Sequence, residues 1–212
     1  MESYIYRITE QMAKEMGYDE EKRGVLCYSL TMLVNNVQAV IMLFVISWLV
    51  GLTKLAFTAM VASALLRVAS GGAHVSSSLR CSTIATIIFL ICGFLGANMV
   101  KSSYLWILII FLVVLGIYAI GRYAPADVPE KPIESKAQRS TLLRASWLIF
   151  VLEIAFVCWL TITHEYKFSA ALTLGLTWQC FMITPLGYKL MKVFDSSLKY
   201  IEQKIFVKHS VN

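Results

Sequence analysis

The sequence predicts an all-α, polytopic membrane protein with about six transmembrane helices and an amphipathic helix at each end. Three observations carry that prediction. First, the chain is 58% hydrophobic and only 15% charged, whereas a soluble domain of this size needs more charge to cover its surface. Second, long apolar runs recur between Val25 and Gly187, each close to the ~20 residues that a helix needs to cross the hydrocarbon core. These runs are continuously apolar, not alternating. Lipid offers backbone N–H and C=O groups no partner, so such runs must close their own hydrogen bonds as helices. Third, basic residues are segregated. Of the 19 Lys and Arg residues, 16 fall on one side when the N-terminus is placed inside, and only Lys54, Lys101 and Lys167 fall outside. That asymmetry satisfies the positive-inside rule and returns the C-terminus to the cytoplasm.

The six expected spans cover Cys27–Val50, Leu55–Ala69, Ser82–Val100, Tyr104–Gly121, Ala145–Thr163 and Ser169–Tyr188. The second is short for a perpendicular crossing. Residues 1–24 precede the bundle as an amphipathic helix, because Ile5, Ile8, Met12 and Met16 recur at spacings of three and four between charged residues. Such a face lies on the inner membrane surface or packs on the protein's own loops. Residues 189–208 repeat the design, with Leu190, Phe194, Leu198, Ile201 and Ile205 on one stripe and Lys192, Lys199 and Lys208 off it. Anionic lipids of the inner leaflet are the expected partner of this basic surface. Between the fourth and fifth spans, Ala124–Ser140 holds Pro125, Pro129 and Pro132 and is expected to be extended. The whole of 1–212 reads as a single integral membrane domain, with 27–188 as its six-span bundle.

Composition also excludes. The basic excess is scattered and no nucleic-acid module accompanies it. Five cysteines are an odd number without a CxxC pair, so neither a disulfide framework nor a zinc cluster is expected. No HExxH occurs and the three histidines lie in separate segments, which argues against a metalloprotease. No cofactor and no metal are expected. The first apolar run is long enough to span, so signal-peptide cleavage is not expected either.

One segment differs from everything around it: Arg67, Gly71, Gly72, His74, Ser76–Ser78, Arg80 and Cys81 interrupt two apolar runs. The adjacent glycines break the helix and allow close backbone approach. Irregular backbone at a membrane boundary requires protein or a water-filled cavity around it. A histidine beside a cysteine is chemically pointed, since the thiolate is the nucleophile and an imidazole accepts its proton and later returns it. Seven residues of straight helix rise roughly 10 Å, too far for a hydrogen bond, so either the chain folds back between His74 and Cys81 or His74 lies off the helix. Arg67 and Arg80 are placed to stabilise a thiolate by charge.

This segment resembles the accessory gene regulator B family, membrane peptidases of Gram-positive quorum sensing. Arg67, Gly71, Gly72, His74 and Cys81 fit the family's motif in order and spacing. A second match is Tyr123-Ala-Pro125-Ala-Asp127 followed by Lys131-Pro132-Ile133, which looks like the family's loop before the fifth span. The resemblance implies a cysteine endopeptidase in the cell membrane with Cys81 as nucleophile and His74 as its base. It implies a small accessory gene regulator D-like propeptide as substrate, loss of the propeptide's acidic tail, closure of a thiolactone ring, and a homodimer. Arg122, Lys131, Lys136 and Arg139 are candidates to meet the acidic tail.

Other polar residues in the spans admit two readings each. Glu153 either serves the chemistry or pairs with an arginine or with Gln179. Asn35, Asn36 and Gln38 either bond between helices or line a substrate path. Ser76–Ser78 either donate N–H groups to an oxyanion or cap a helix. The rival to an enzyme is a non-enzymatic multi-pass peptide exporter, followed by a structural adaptor. Neither would depend on the thiol of Cys81.

Overall fold

The computed structural model describes residues 2–73, 75, 77–99, 102–126 and 135–209. Within them the chain forms eight helices: α1 (Glu2–Glu15), α2 (Glu20–Leu49), α3 (Thr53–Ser70), α4 (Ser78–Ala97), α5 (Ser102–Tyr123), α6 (Lys136–Ile162), α7 (Tyr166–Met182) and α8 (Pro185–His209). Five helices, α2 to α6, are long and apolar enough to cross a membrane, and α7 with α8 makes a sixth if that bent pair counts as one span. The all-α, multi-pass architecture expected from the sequence is what the helices form.

α7 is the centre of the bundle, packing against α3, α4, α5 and α6. Small residues make this possible. A Cβ on Gly175 would collide with the Ala59 carbonyl of α3, and one on Gly96 would lie 3.1 Å from Ala171 of α7. In lipid, where no hydrophobic force pulls helices together, such close backbone approach supplies the dispersion contacts that do. Leu66, Leu105, Leu112, Val157 and Leu176, each 0% exposed, fill the space around α7. Polar side chains add a link, with Thr161 and Ser169 hydroxyls 2.7 Å apart across α6 and α7. α2 stays peripheral, packed on α4 and α3. Its Leu33, Ile41, Phe44 and Trp48 are exposed, as lipid-facing side chains are.

Three boundaries differ from the sequence expectation. The segment 1–24 is not one helix: it breaks at Gly17 (φ 63), and Asp19 then caps α2 by accepting from the Lys22 amide at 2.9 Å. α1 packs on α2 and its Thr9 and Ala13 are buried, while Ile8, Met12 and Met16 are exposed. The sixth span expected over Ser169–Tyr188 ends early, at Met182. There Thr184 caps α8 by accepting from Gly187 N at 3.2 Å, and Pro185 occupies the first helical position, where its missing N–H costs nothing. α8 leaves at 91° to α7. The proline-rich stretch expected to stay extended to Ser140 gives way to α6 at Lys136, with Ser135 as its cap; residues 127–134 lie outside the described residues.

Candidate active site

Between the two apolar helices α3 and α4 the described residues 71–73, 75 and 77 are non-helical, and the start of this stretch is tied to other elements. α3 ends as Gly71 takes φ 68, and Gly72 follows at φ 140, both conformations that favour glycine. A Cβ on Gly71 would collide with the Ala126 carbonyl, so the diglycine expected to allow close approach does so. The partner is the start of the proline-rich loop: Ala126 N donates to Ser70 O at 2.8 Å, forming a short parallel bridge. Ala73 N donates to Met182 O at 3.3 Å, joining the segment to the end of α7.

Arg67 stands in the last turn of α3. Its guanidinium donates to Ala73 O at 2.7 Å and to Gln179 Oε1 at 3.3 Å. Gln179 is fully buried on α7, and its Nε2 donates to Gly71 O at 2.7 Å and to Ser70 Oγ at 3.0 Å. The sequence had offered Gln179 only as a partner for Glu153. The structure gives it to the diglycine turn instead. Glu153, 8% exposed among apolar side chains of α6, has no hydrogen-bond partner on either carboxylate oxygen among the described residues.

Cys81 occupies the first turn of α4, with its own amide bonded to Ser77 O at 3.0 Å. Ser77 is the N-cap residue, although its hydroxyl makes no capping bond. The non-helical stretch therefore reaches to Ser77, and straight helix does not separate positions 74 and 81. His74 itself and Ser76 lie outside the described residues, as does Lys131. Ala73 and Val75, the residues on either side of position 74, pack in one apolar cluster with Cys81. Ile84, Met182 and Met191 complete that cluster's buried part, and Trp178, Phe181, Phe194 and Leu198 pack against it.

Arg80 points to α8, where its Nε donates to Asp195 Oδ1 at 2.7 Å. Asp195 is a site residue that the sequence reading missed. It lay off the apolar stripe of the tail, and nothing local marks an acid as the partner of an arginine 115 residues away. Of the apolar stripe expected in the tail, Phe194 and Leu198 pack against the Cys81 cluster, while the side chains of Ile201 and Ile205 lie outside the described residues.

Arg122, Lys136 and Arg139 are exposed, at the last turn of α5 and the first turn of α6. Asn35 meets α4, its carbonyl accepting from Ser82 Oγ at 3.3 Å, while its buried side-chain oxygen has no partner among the described residues. No group of three or more His, Cys, Asp or Glu residues that could hold a metal occurs among the described residues.

Comparison with known proteins points one way. The family model for accessory gene regulator B matches residues 5–183. A protein of Clostridium perfringens (strain SM101 / Type A) described as AgrB-like is 29% identical over 205 residues, covering 89% of this chain and 94% of that protein. A second AgrB-like protein, from Clostridium perfringens strain 13, is 27% identical over the same length. One from Listeria welshimeri is 27% identical over 174 residues, 82% of each chain. No solved structure matches. Such a match over most of its length means that the chain belongs to the accessory gene regulator B family, and this supports a role in accessory gene regulator quorum sensing.

Proposed function

We propose that this protein is a membrane cysteine endopeptidase that cleaves the acidic tail from a small accessory gene regulator D-like propeptide and promotes closure of its thiolactone ring. The observation that carries the reading is the packing of Cys81, at the start of α4, in one cluster with the two neighbours of His74. A helix N-terminus favours negative charge nearby, which suits a sulfur that must act as thiolate. The family's role in propeptide processing supplies the substrate class.

In this mechanism His74 accepts the Cys81 thiol proton, and the sulfur attacks the scissile carbonyl. The C–N bond breaks, His74 gives its proton to the leaving amine, and the tail departs. A thioester joins the remaining peptide to Cys81. The substrate's own cysteine then loses its proton to His74 and attacks that carbonyl. The new thioester closes the ring, and Cys81 leaves and recovers a proton. Exchange of one thioester for another is nearly balanced, so the acyl-bond energy is kept for the product. The reaction lies at the cytoplasmic end of the bundle, where the exposed Arg122, Lys136 and Arg139 would meet an acidic tail. A homodimer is part of the proposal through the family resemblance.

Purified protein in vesicles with a propeptide tests it. Cys81→Ser and His74→Ala should each abolish tail release, and wild type should yield an acyl-enzyme detectable by mass on the Cys81 peptide. Full cleavage by either variant removes the proposed roles and leaves the exporter reading in place.

A further inference from the structure

We propose that Gln179 is a positioning residue for the His74–Cys81 pair, acting through Arg67 and the diglycine turn; this rests on the function proposed above. Three groups converge on one buried amide. Nε2 has two N–H donors, and both have acceptors, Gly71 O at 2.7 Å and Ser70 Oγ at 3.0 Å. Oε1 accepts from Arg67 Nη1 at 3.3 Å, and the same guanidinium holds Ala73 O through Nη2 at 2.7 Å. The backbone on the N-terminal side of position 74 is therefore fixed to α7 through one side chain and to α3 through another. The fit is close: a Cβ on Gly72 would lie 3.3 Å from Arg67 Nη1 and 3.5 Å from Gln179 Nε2.

The pattern of donors and acceptors selects an amide. The turn presents a carbonyl oxygen that needs a donor, a hydroxyl oxygen within reach of a second, and a guanidinium that needs an acceptor. Glutamine supplies all three at once. Ionised glutamate supplies no donor and would set an oxygen against Gly71 O. Leucine supplies nothing, and asparagine falls short by one carbon–carbon bond, about 1.5 Å. The anchor also comes from α7, the central helix of the bundle. The same helix end accepts from Ala73 N through Met182 O. The turn that leads to His74 thus takes its position from the central helix α7 as well as from the loop start at Ala126.

The test is peptide-resolved alkylation of Cys81 by iodoacetamide across pH 5 to 9, on full-length protein in vesicles. His74→Ala is the reference variant and Cys27 alkylation is the internal control. Wild type should show an imidazole-dependent inflection that His74→Ala removes. Gln179→Glu, which keeps size and polarity, and Gln179→Leu should both take on the His74→Ala profile. Their Cys81 rates at neutral pH should fall about tenfold, with Cys27 unaffected. Amide exchange at Ala73 should quicken in both. If Gln179→Leu does not fold, Gln179→Glu alone decides. A wild-type profile in the folded Gln179 variants, with an altered one in His74→Ala, overturns this inference and spares the catalytic reading. A wild-type profile in His74→Ala itself overturns both.

Discussion

Breaking the Arg80–Asp195 pair should detach α8 from the site and cost a measurable part of the bundle's stability. The pair is close, at 2.7 Å, and the two side chains are only 14% and 23% exposed. At an effective dielectric of about 20 that separation gives an attraction of about 6 kcal/mol. Desolvating the two ions takes back several kcal/mol, and fixing the arginine side chain takes about 2 kcal/mol more. The balance lies between the 0–1 kcal/mol of exposed pairs and the 3–5 kcal/mol lost when one partner of a buried pair is removed. A coupling of about 1–3 kcal/mol is therefore expected. A double-mutant cycle with Arg80→Met and Asp195→Asn, read by reversible unfolding in mixed micelles, measures it. Because Met191, Phe194 and Leu198 of α8 pack with Cys81, Asp195→Asn should also speed Cys81 alkylation several-fold at fixed pH. A coupling below about 0.5 kcal/mol, where exposed pairs fall, with Cys81 no more reactive, would refute the reasoning. The packing of Met191, Phe194 and Leu198 would then outweigh the ion pair in holding α8.

Three further outcomes are expected. Gly175→Val should destabilise the bundle by about 1–3 kcal/mol, the usual cost of overpacking, because its side chain would enter the Ala59 backbone of α3; unchanged thermal unfolding in detergent would contradict the α3–α7 packing. Glu153→Leu should stabilise by about 1–3 kcal/mol, since it removes a buried carboxyl whose two oxygens have no hydrogen-bond partner among the described residues; loss of stability in the same assay would mean that the carboxyl is bonded in the working protein. Reversing Arg122, Lys136 and Arg139 to glutamate should raise the propeptide concentration needed for half-maximal cleavage about tenfold at low salt. The effect should fade as the Debye length drops below about 10 Å, and an equal requirement in wild type and variant at low salt would reject electrostatic docking.

The helical spans were legible because lipid imposes a simple rule. A run of apolar residues that long has nowhere else to go, and the runs that became α2 to α6 show it. Break points were less legible where the punctuation is weak. Pro185 sits in an apolar stretch, and only the Thr184–Gly187 cap shows that it starts a helix at 91° to the last one. Gly17 likewise divides what periodicity alone joins. At the site, Gly71 and Gly72 were legible because a glycine pair between apolar runs has few other uses. Gln179 was not, because a lone amide in a span has many partners to choose from and sequence separation hides which. Its bonds to Ser70 and Gly71 cross more than 100 residues of chain. The same holds for Arg67 and Arg80, legible as charges near the thiol. The structure places them on Ala73, Gln179 and Asp195.

The cover over Cys81 bears on what the proposed acyl-enzyme becomes. A thioester on this sulfur has two fates, attack by the substrate's thiol or attack by water, and their ratio depends on how much water reaches it. Cys81 packs in an apolar cluster: Ile84, Met182 and Met191 are buried, and Trp178, Phe181, Phe194 and Leu198 pack against them. Three of these belong to α8, which reaches the site only by turning sharply after Thr184: the buried Met191 and the partly buried Phe194 and Leu198. Truncating Phe194 and Leu198 opens the cluster from one side without touching α3, α4 or the diglycine turn. Phe194→Ala with Leu198→Ala should therefore leave tail release close to wild type and shift the product from cyclic to linear peptide. The shift expected is on the order of three- to tenfold, since about 1.4 kcal/mol of partitioning is a factor of ten. Mass spectrometry separates the products, because hydrolysis adds one water. An unchanged cyclic-to-linear ratio, with faster amide exchange in α8 as evidence that it has loosened, would mean that α8 does not keep water from the thioester. Exclusion would then have to come from the α3–α4 segment itself.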